Sequence, residues 1–472
     1  MTQRSSKPWA VFVVTALGAF MASLDLSIVN VAFPALERSF PHDSKAALAW
    51  VITAYSIMFG SLLVTAGRTA DRVGRRRLFF TGLAVFTAGS ALCGLAPSVG
   101  WLVGGRVVQG CGAAVLLPSS LGLLLGAFPS ERRSQMVALW GGVGALAVAT
   151  GPSLGALLIS AGGWRWAFFV NVPVAVVALV SGRRVLTESV PTRSSATPDY
   201  AGVGLVSLSL AALVLAISEG PTWGWTSTRI LLGFAAFAVL GTGFVLRSLR
   251  HEEPVLNLQL FKARSFSVAN AATALYAMGF FAMLLGNILF LTSVWHYSIL
   301  RAGLAVTPGP LVVAAVSGPA GRIAGRLGHR FVLLLGFATF TAALVWYATQ
   351  VGADPEYLTR WLPATLVAGL GIGLTFPVLS AAAVSSLPPE RFAVGGAVNQ
   401  TARQVGGAIG VALLVAILGA PTSVASAVDH FHHLWIYAAV MTFTSGLVCS
   451  LLPGPVGVTS FEPALEMAVT PE

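Results

Sequence analysis

Gly67-Arg68-Thr69-Ala70-Asp71-Arg72-Val73-Gly74-Arg75-Arg76 recurs 254 residues later as Gly321-Arg322-Ile323-Ala324-Gly325-Arg326-Leu327-Gly328-His329-Arg330. A second match lies at an offset of 259, where Gly110, Gly112, Pro118, Pro129, Glu131 and Arg132 meet Gly369, Gly371, Pro377, Pro388, Glu390 and Arg391. Shared loop packing explains a basic turn twice. It does not explain matched glycines and prolines inside the flanking apolar runs. The chain therefore reads as two duplicated halves, each too apolar to stand alone in water.

Each copy is a short basic turn between apolar runs, and the whole chain has that texture. Of its 472 residues 56% are hydrophobic and only 10% charged, against about 25% charged in soluble domains. An all-α polytopic membrane protein is the implied class. A bilayer takes roughly 20 apolar residues per crossing, and the runs give about 14 spans. They fall near 9–35, 46–66, 78–96, 100–126, 136–161, 166–182, 200–219, 229–247, 266–293, 304–320, 331–351, 361–386, 395–419 and 433–452. With the N-terminus inside, the inner segments hold 20 basic residues and the outer loops 6, leaving Arg106 and Arg403 within spans. Both termini are thus expected in the cytoplasm and the chain in the plasma membrane. Trp50, Trp101, Trp164, Trp166, Trp223, Trp225, Trp295, Trp361 and Trp435 fall near the expected outer interface, where indoles are favoured.

The expected organisation is a six-helix bundle over 1–182, a Ser/Thr/Pro-rich linker over 183–199 and two inserted helices over 200–250. A charged loop over 251–265, a second six-helix bundle over 266–452 and a cytoplasmic tail over 453–472 complete it.

Composition also excludes function classes. The net charge of +11 lies in short loops, not in a basic patch interleaved with aromatics, so no nucleic-acid partner is expected. Lys7, Lys45 and Lys262 are the only lysines and none follows a glycine, which rules out a Walker A loop. Cys93, Cys111 and Cys449 lie in apolar runs and suggest no disulfide framework. The seven histidines fall in loops or at span ends and no HExxH occurs, so neither an enzyme nor a metal centre is expected. His430, His432 and His433 beside Asp429 have ligand chemistry but no fixed ligand spacing.

Within Leu24-Asp25-Leu26-Ser27-Ile28-Val29-Asn30-Val31-Ala32-Phe33-Pro34 a carboxylate sits inside an apolar run. An acid near a helix centre costs about 2.5–3.5 kcal/mol on insertion scales and marks a functional candidate. A structural hydrogen bond to a neighbouring helix is the alternative. Helix rise puts Arg106 roughly 9 Å and Asp25 roughly 16 Å below the same outer membrane face, a gap that an arginine side chain spans. Gln109 shares the helix face of Arg106 at i+3. Asp25 as proton acceptor, tuned by Arg106 with Gln109 nearby, is one reading; Arg106 snorkelling outward is the other.

Four motifs then point to a family. The chain over 9–452 resembles the major facilitator superfamily, and within it the fourteen-helix drug:proton antiporters. Gly67 to Arg77 is similar to the loop between helices 2 and 3, with Thr69 where leucine is usual. Leu24 to Pro34 is similar to the helix-1 motif, with Ser27 in place of threonine. Gly105-Arg106-Val107-Val108-Gln109-Gly110 resembles the helix-4 arginine motif. Gly151-Pro152-Ser153-Leu154-Gly155 resembles the helix-5 antiporter core, with Ala147 and Ala156 where glycine is common.

The resemblance implies two six-helix bundles plus two inserted helices, and export of a lipophilic, drug-like molecule in exchange for protons. It implies no cofactor beyond the proton gradient, and a monomer in the bilayer. Gly67, Asp71, Arg72, Gly74, Arg75 and Arg76 would latch the two bundles in the outward-open state. Because Gly325 replaces Asp71 in the second copy, only one half would carry that latch. Gly151, Pro152 and Gly155 would seal the outer side, with plain packing at the same seam the competing role. Asn30, Tyr55, Tyr276, Phe280, Phe281, Asn287, Asn399 and Arg403 are candidates for the substrate path, with core packing or helix stitching the competing role. Uptake of a nutrient or metabolite shares the fold and is the alternative function.

Overall fold

The computed structural model describes residues 8–188, 199–252, 254–385, 387 and 392–452. Most of the expected linker and the tail from 453 onward lie outside them, as does the side chain of Asp71. The first half of the chain forms α1 (Pro8–Ser39), α2 (Lys45–Val73), α3 (Arg75–Gly94), α4 (Val99–Ala127), α5 (Ser130–Gly162), α6 (Trp166–Phe169) and α7 (Asn171–Val185). Two further helices follow, α8 (Tyr200–Trp223) and α9 (Thr228–Arg250). The second half forms α10 (Arg264–Ser293), α11 (Ile299–Val306), α12 (Pro308–Leu327), α13 (His329–Gln350), α14 (Leu362–Val384), α15 (Phe392–Leu418) and α16 (Val424–Cys449). No strand occurs among the described residues.

Twelve segments are long and apolar enough to cross a bilayer, counting α6 with α7 and α11 with α12 as one each. The bent α5 makes a thirteenth. α16, 26 residues long, packs on α10 and α13. The set is compatible with fourteen spans.

Serine starts many of these helices. Ser44, Ser98, Ser227, Ser298 and Ser423 each accept the N–H three residues on, beginning α2, α4, α9, α11 and α16. Each cap contributes about 1 kcal/mol, and all five lie opposite the arginine-rich turns. Those turns repeat in geometry as well as sequence. Gly74 has φ 113° and Gly328 φ 88°, and their N–H groups reach Ala70 O at 3.1 Å and Ala324 O at 3.0 Å. Both backbones are left-handed, where a Cβ is strained. The duplication extends inward: Gly112 lies against the Phe86 backbone, and Gly371 against the Phe340 backbone.

The halves meet where α2 packs on α15, α1 on α10, and α5 on α11 and α12. α8 leans on α2 and α15 through Ile57, Leu210, Val214, Ile217, Ala408 and Ala412. α9 lies outside it, with Leu232, Val239 and Leu249 exposed as a lipid-facing surface requires. On the side away from the arginines, α5 and α11 press together. Towards the arginines, Gly141 and Gly142 of α5 and Gly318, Gly321 and Gly325 of α12 face open space.

Two expectations change. Trp101, Trp166, Trp223 and Trp225 are exposed, as interface anchors are, but Trp164, Trp295, Trp361 and Trp435 are buried. The last three form an aromatic core with Phe290 and Tyr347, with Trp361 and Phe290 stacked at 5.7 Å. Depth along the membrane says nothing about which way a helix face points. The last span also starts nine residues earlier than expected, so Asp429, His430, His432 and His433 lie inside α16. His430 Nδ1 lies 2.8 Å from Leu418 O and His432 Nε2 2.8 Å from Val351 O, so these rings tie α16 to the ends of α15 and α13.

Candidate functional site

α1, α2, α3, α4 and α7 converge on Asp25, which is 1% exposed. Arg106 Nη1 meets Asp25 Oδ2 at 2.5 Å and Gln109 Oε1 at 2.8 Å, while its Nε donates to Val51 O at 2.7 Å. The guanidinium lies 4.2 Å above the Tyr55 ring, a cation–π contact that desolvation strengthens. The second carboxylate oxygen, Oδ1, accepts Gln109 Nε2 at 2.7 Å, with Asn171 Nδ2 at 3.4 Å. Ser90 closes the network, accepting from Gln109 and Asn171 at 3.2 and 2.9 Å and donating to Phe168 O at 2.8 Å.

The structure thus brings Asp25, Arg106, Gln109 and Tyr55 together. The charge pair is fully withdrawn from solvent and hydrogen-bonded on both sides, the condition under which a buried ion pair persists. Ser90 and Asn171 escaped the sequence reading. Each is a polar residue in an apolar span, a visible signal, but nothing in the sequence names its partner.

Two residues on from Asp25, at Ser27, α1 docks on α5. Pro152 has no N–H for the carbonyl four residues back, Val148. Ser27 Oγ donates to that carbonyl at 3.1 Å. Close to this point α5 bends by 43°. Gly151 fits directly against Ser27, where a Cβ would overlap the hydroxyl, and Gly155 fits against Ile28. On the other face of the bend, Gly303 of α11 lies against Pro152 O and Ala156. The Gly-Pro motif is therefore held by one half of the protein and touched by the other. An apolar cavity of about 650 Å³ runs beside this seam, between Phe20, Leu154 and Leu300.

At the basic turn, Arg75 Nη1 donates to Gly122 O at 2.9 Å. Glu188 sits over the start of α3, accepting Arg76 N at 3.0 Å and lying 3.8 Å from Arg77 Nε. Arg68 reaches Pro254 O at 2.8 Å, next to the loop into the second half. Gly67 faces Pro118, and Arg72 sits in the last turn of α2.

The remaining candidates divide. Asn30 is buried and donates to Leu26 O at 2.7 Å. Asn287 accepts from Trp435 Nε1 at 2.9 Å. Asn399 ties α15 to α10 through Asn270 and Thr273 at 3.3 and 2.8 Å. Tyr276, Phe280 and Phe281 form an aromatic group with Phe376, beside which Arg403 lies.

Duplicated helical halves joined through glycine-rich seams, with a buried acid in the first, define a membrane transporter of the alternating-access type. A sequence profile described as Major Facilitator Superfamily matches residues 15–411 and 269–467. The chain belongs to that superfamily and is a multi-pass membrane transporter. It is 35% identical over 86% of its length to the tetracenomycin C resistance and export protein of Streptomyces glaucescens, covering 75% of that protein. It is 33% identical over 86% of its length to the multidrug resistance protein Stp of Mycobacterium tuberculosis, again covering 75%. The methylenomycin A resistance protein of Streptomyces coelicolor is 32% identical, with 93% of this chain and 90% of that protein covered.

Proposed function

We propose that this protein exports lipophilic small molecules from the cell in exchange for protons, with Asp25 taking up and releasing the proton. The observation that carries this reading is the fully buried Asp25–Arg106–Gln109–Asn171 network, two residues along α1 from the Ser27 contact that holds the α5 bend. The export and resistance activities named for its relatives support the direction of transport.

In the outward-open state water reaches Asp25, the carboxylate is protonated, and the substrate leaves. In the inward-open state the proton is lost and a new substrate binds. Burial opposes the carboxylate while Arg106 favours it, so parting or solvating the pair changes which form is held. One proton moving down 100 mV supplies about 2.3 kcal/mol, enough for roughly a fiftyfold substrate gradient. The protein works as a monomer in the plasma membrane with both termini in the cytoplasm. The turn from Gly67 to Arg76, Asp71 included, latches the halves in the outward-open state.

The test is efflux from proteoliposomes under an imposed pH gradient, with wild type and Asp25→Asn. Gradient-driven transport should vanish while substrate binding persists. Undiminished coupled transport by Asp25→Asn would remove Asp25 from the proton path.

A further inference from the structure

We infer that the exported substrate is an aromatic organic anion and that Arg403 receives its negative group, an inference that rests on the exporter reading above. Arg403 lies midway along α15, between α10 and α14. It has none of the partners that surround Arg106. Its Nη2 donates to Ser380 Oγ at 2.8 Å and its guanidinium lies 4.1 Å from the Phe376 ring. Among the described residues it makes no ion pair, and it remains partly exposed.

A guanidinium has five donors and never loses its charge. Kept inside a membrane span without a counter-ion it is costly, and such a residue is by default functional. Among the described residues the spans hold one carboxylate at this level, Asp25, and Arg106 already occupies it. Glu219 lies at the far end of α8 and Glu37 at the end of α1. The transport path therefore carries an excess of one positive charge.

The surroundings give the rest of the ligand. Tyr276 and Phe280 stack at 5.9 Å, Phe280 lies 6.1 Å and Tyr276 6.5 Å from Phe376, and Phe281 packs on Gly407, one turn beyond Arg403. The Tyr276 hydroxyl is buried without a hydrogen-bond partner among the described residues. Aromatic faces beside a fork of N–H donors suit a planar ring bearing a carboxylate or phenolate, which the guanidinium grips through two parallel bonds. Exchange of such an anion for a proton moves positive charge inward on both legs, so transport is driven by voltage as well as by pH.

The experiment uses proteoliposomes of the full chain with nalidixate and novobiocin as acids, chloramphenicol as a neutral probe and ethidium as a cation. Uptake and transient currents are recorded under an imposed pH gradient. Wild type should move both acids with an inward positive current. Arg403→Gln should cut acid transport by about tenfold or more, the equivalent of one charged hydrogen bond, and Arg403→Lys should keep part of it. Arg403→Glu should lose the acids and gain ethidium, a readout that a misfolded protein cannot give. Wild type moving ethidium or chloramphenicol but neither acid would overturn the inference and leave the exporter reading intact. Acid transport unchanged in Arg403→Gln, or an equal loss of acids and chloramphenicol, would also overturn it. If none of the four probes moves, the exporter reading fails and this inference falls with it.

Discussion

Removing Arg106 alone should harm the protein more than removing Arg106 and Asp25 together. In Arg106→Gln the carboxylate stays buried and keeps its bonds from Gln109 and Asn171, but loses its charged partner. Breaking one side of a buried ion pair costs about 3–5 kcal/mol. In Asp25→Asn the arginine keeps Val51 O, Gln109 Oε1 and the Tyr55 face, and the amide oxygen still accepts a hydrogen bond. That variant should lose less, about 1–3 kcal/mol, the range for an unsatisfied or weakened charged bond. The double variant leaves neutral groups of similar shape and should cost about 1–2 kcal/mol, because well-packed neutral replacements of buried pairs are often tolerated. The coupling energy, the sum of the two single losses less that of the double variant, is then roughly 4–5 kcal/mol, well above the ~0.6 kcal/mol average of interhelical hydrogen bonds in membranes. SDS-induced unfolding of the four proteins in mixed micelles measures it. A coupling at or below that average would mean that Asp25 and Arg106 do not act as a pair. The account of the site would then fail at its first step.

Other sites give sharper local tests. Ser27→Ala should destabilise by about 1–2 kcal/mol because Val148 O, freed by Pro152, loses its donor; Ser27→Thr should recover most of that in the same unfolding assay. Gly303→Val drives methyl groups into Pro152 O and Ala156, and proteoliposome efflux should fall by about tenfold at unchanged expression. Gly74→Ala forces a Cβ onto a left-handed backbone and into Glu188; unfolding in mixed micelles should show a loss of about 1–2 kcal/mol or more. Asp199 is pulled upward by burial, but hydrogen bonds from Arg247 and Gly202 N–H and the Arg247 charge hold its carboxyl below the ordinary value. Its stabilisation is complete above about pH 4, the unfolded value, and fades as pH falls through the lower folded one. Asp199→Asn should therefore weaken the protein at pH 7 and make little difference near the acid limit, read by thermal unfolding across pH.

What the sequence disclosed follows from the kind of information each feature needs. Span number and the duplication depend on local sums of hydropathy and on residues at fixed offsets, so Gly74 and Gly328 announce the same turn before any coordinate is known. The meeting of Asp25 with Arg106 was within reach because depth along two helices is arithmetic in residue rise. Azimuth is not. Trp361 and Trp435 lie at interface depth yet turn inward onto Phe290 and Tyr347. Ser90 and Asn171 turn towards Asp25 for reasons that only the packing of α3, α4 and α7 supplies. Ser27 could be quoted as a motif residue, but its partner depends on which carbonyl Pro152 leaves open and which helix faces it.

That last contact bears on how protonation of Asp25, under the proposed mechanism, would move a gate. Asp25 and Ser27 are two residues apart on one rigid helix. Ser27 holds the carbonyl at the α5 bend, and Pro152, four residues on, carries its own carbonyl against Gly303 of the opposite half. A shift of α1 of an ångström or so, as Asp25 parts from Arg106, would either carry the bend with it or break the Ser27 bond. Packed seams of this kind have discrete arrangements, not a continuum. If the bend follows α1, contact with Gly303 opens as the ion pair opens. A disulfide between cysteines placed at Ala156 and Gly303 should then form fast in wild type background at high pH and slowly in Asp25→Asn, while Ser27→Ala should erase the difference. Cross-linking rates that ignore Asp25 but still respond to substrate would place the gate's trigger in the second half, at α10 and α15, and leave Asp25 to load protons without moving the seam.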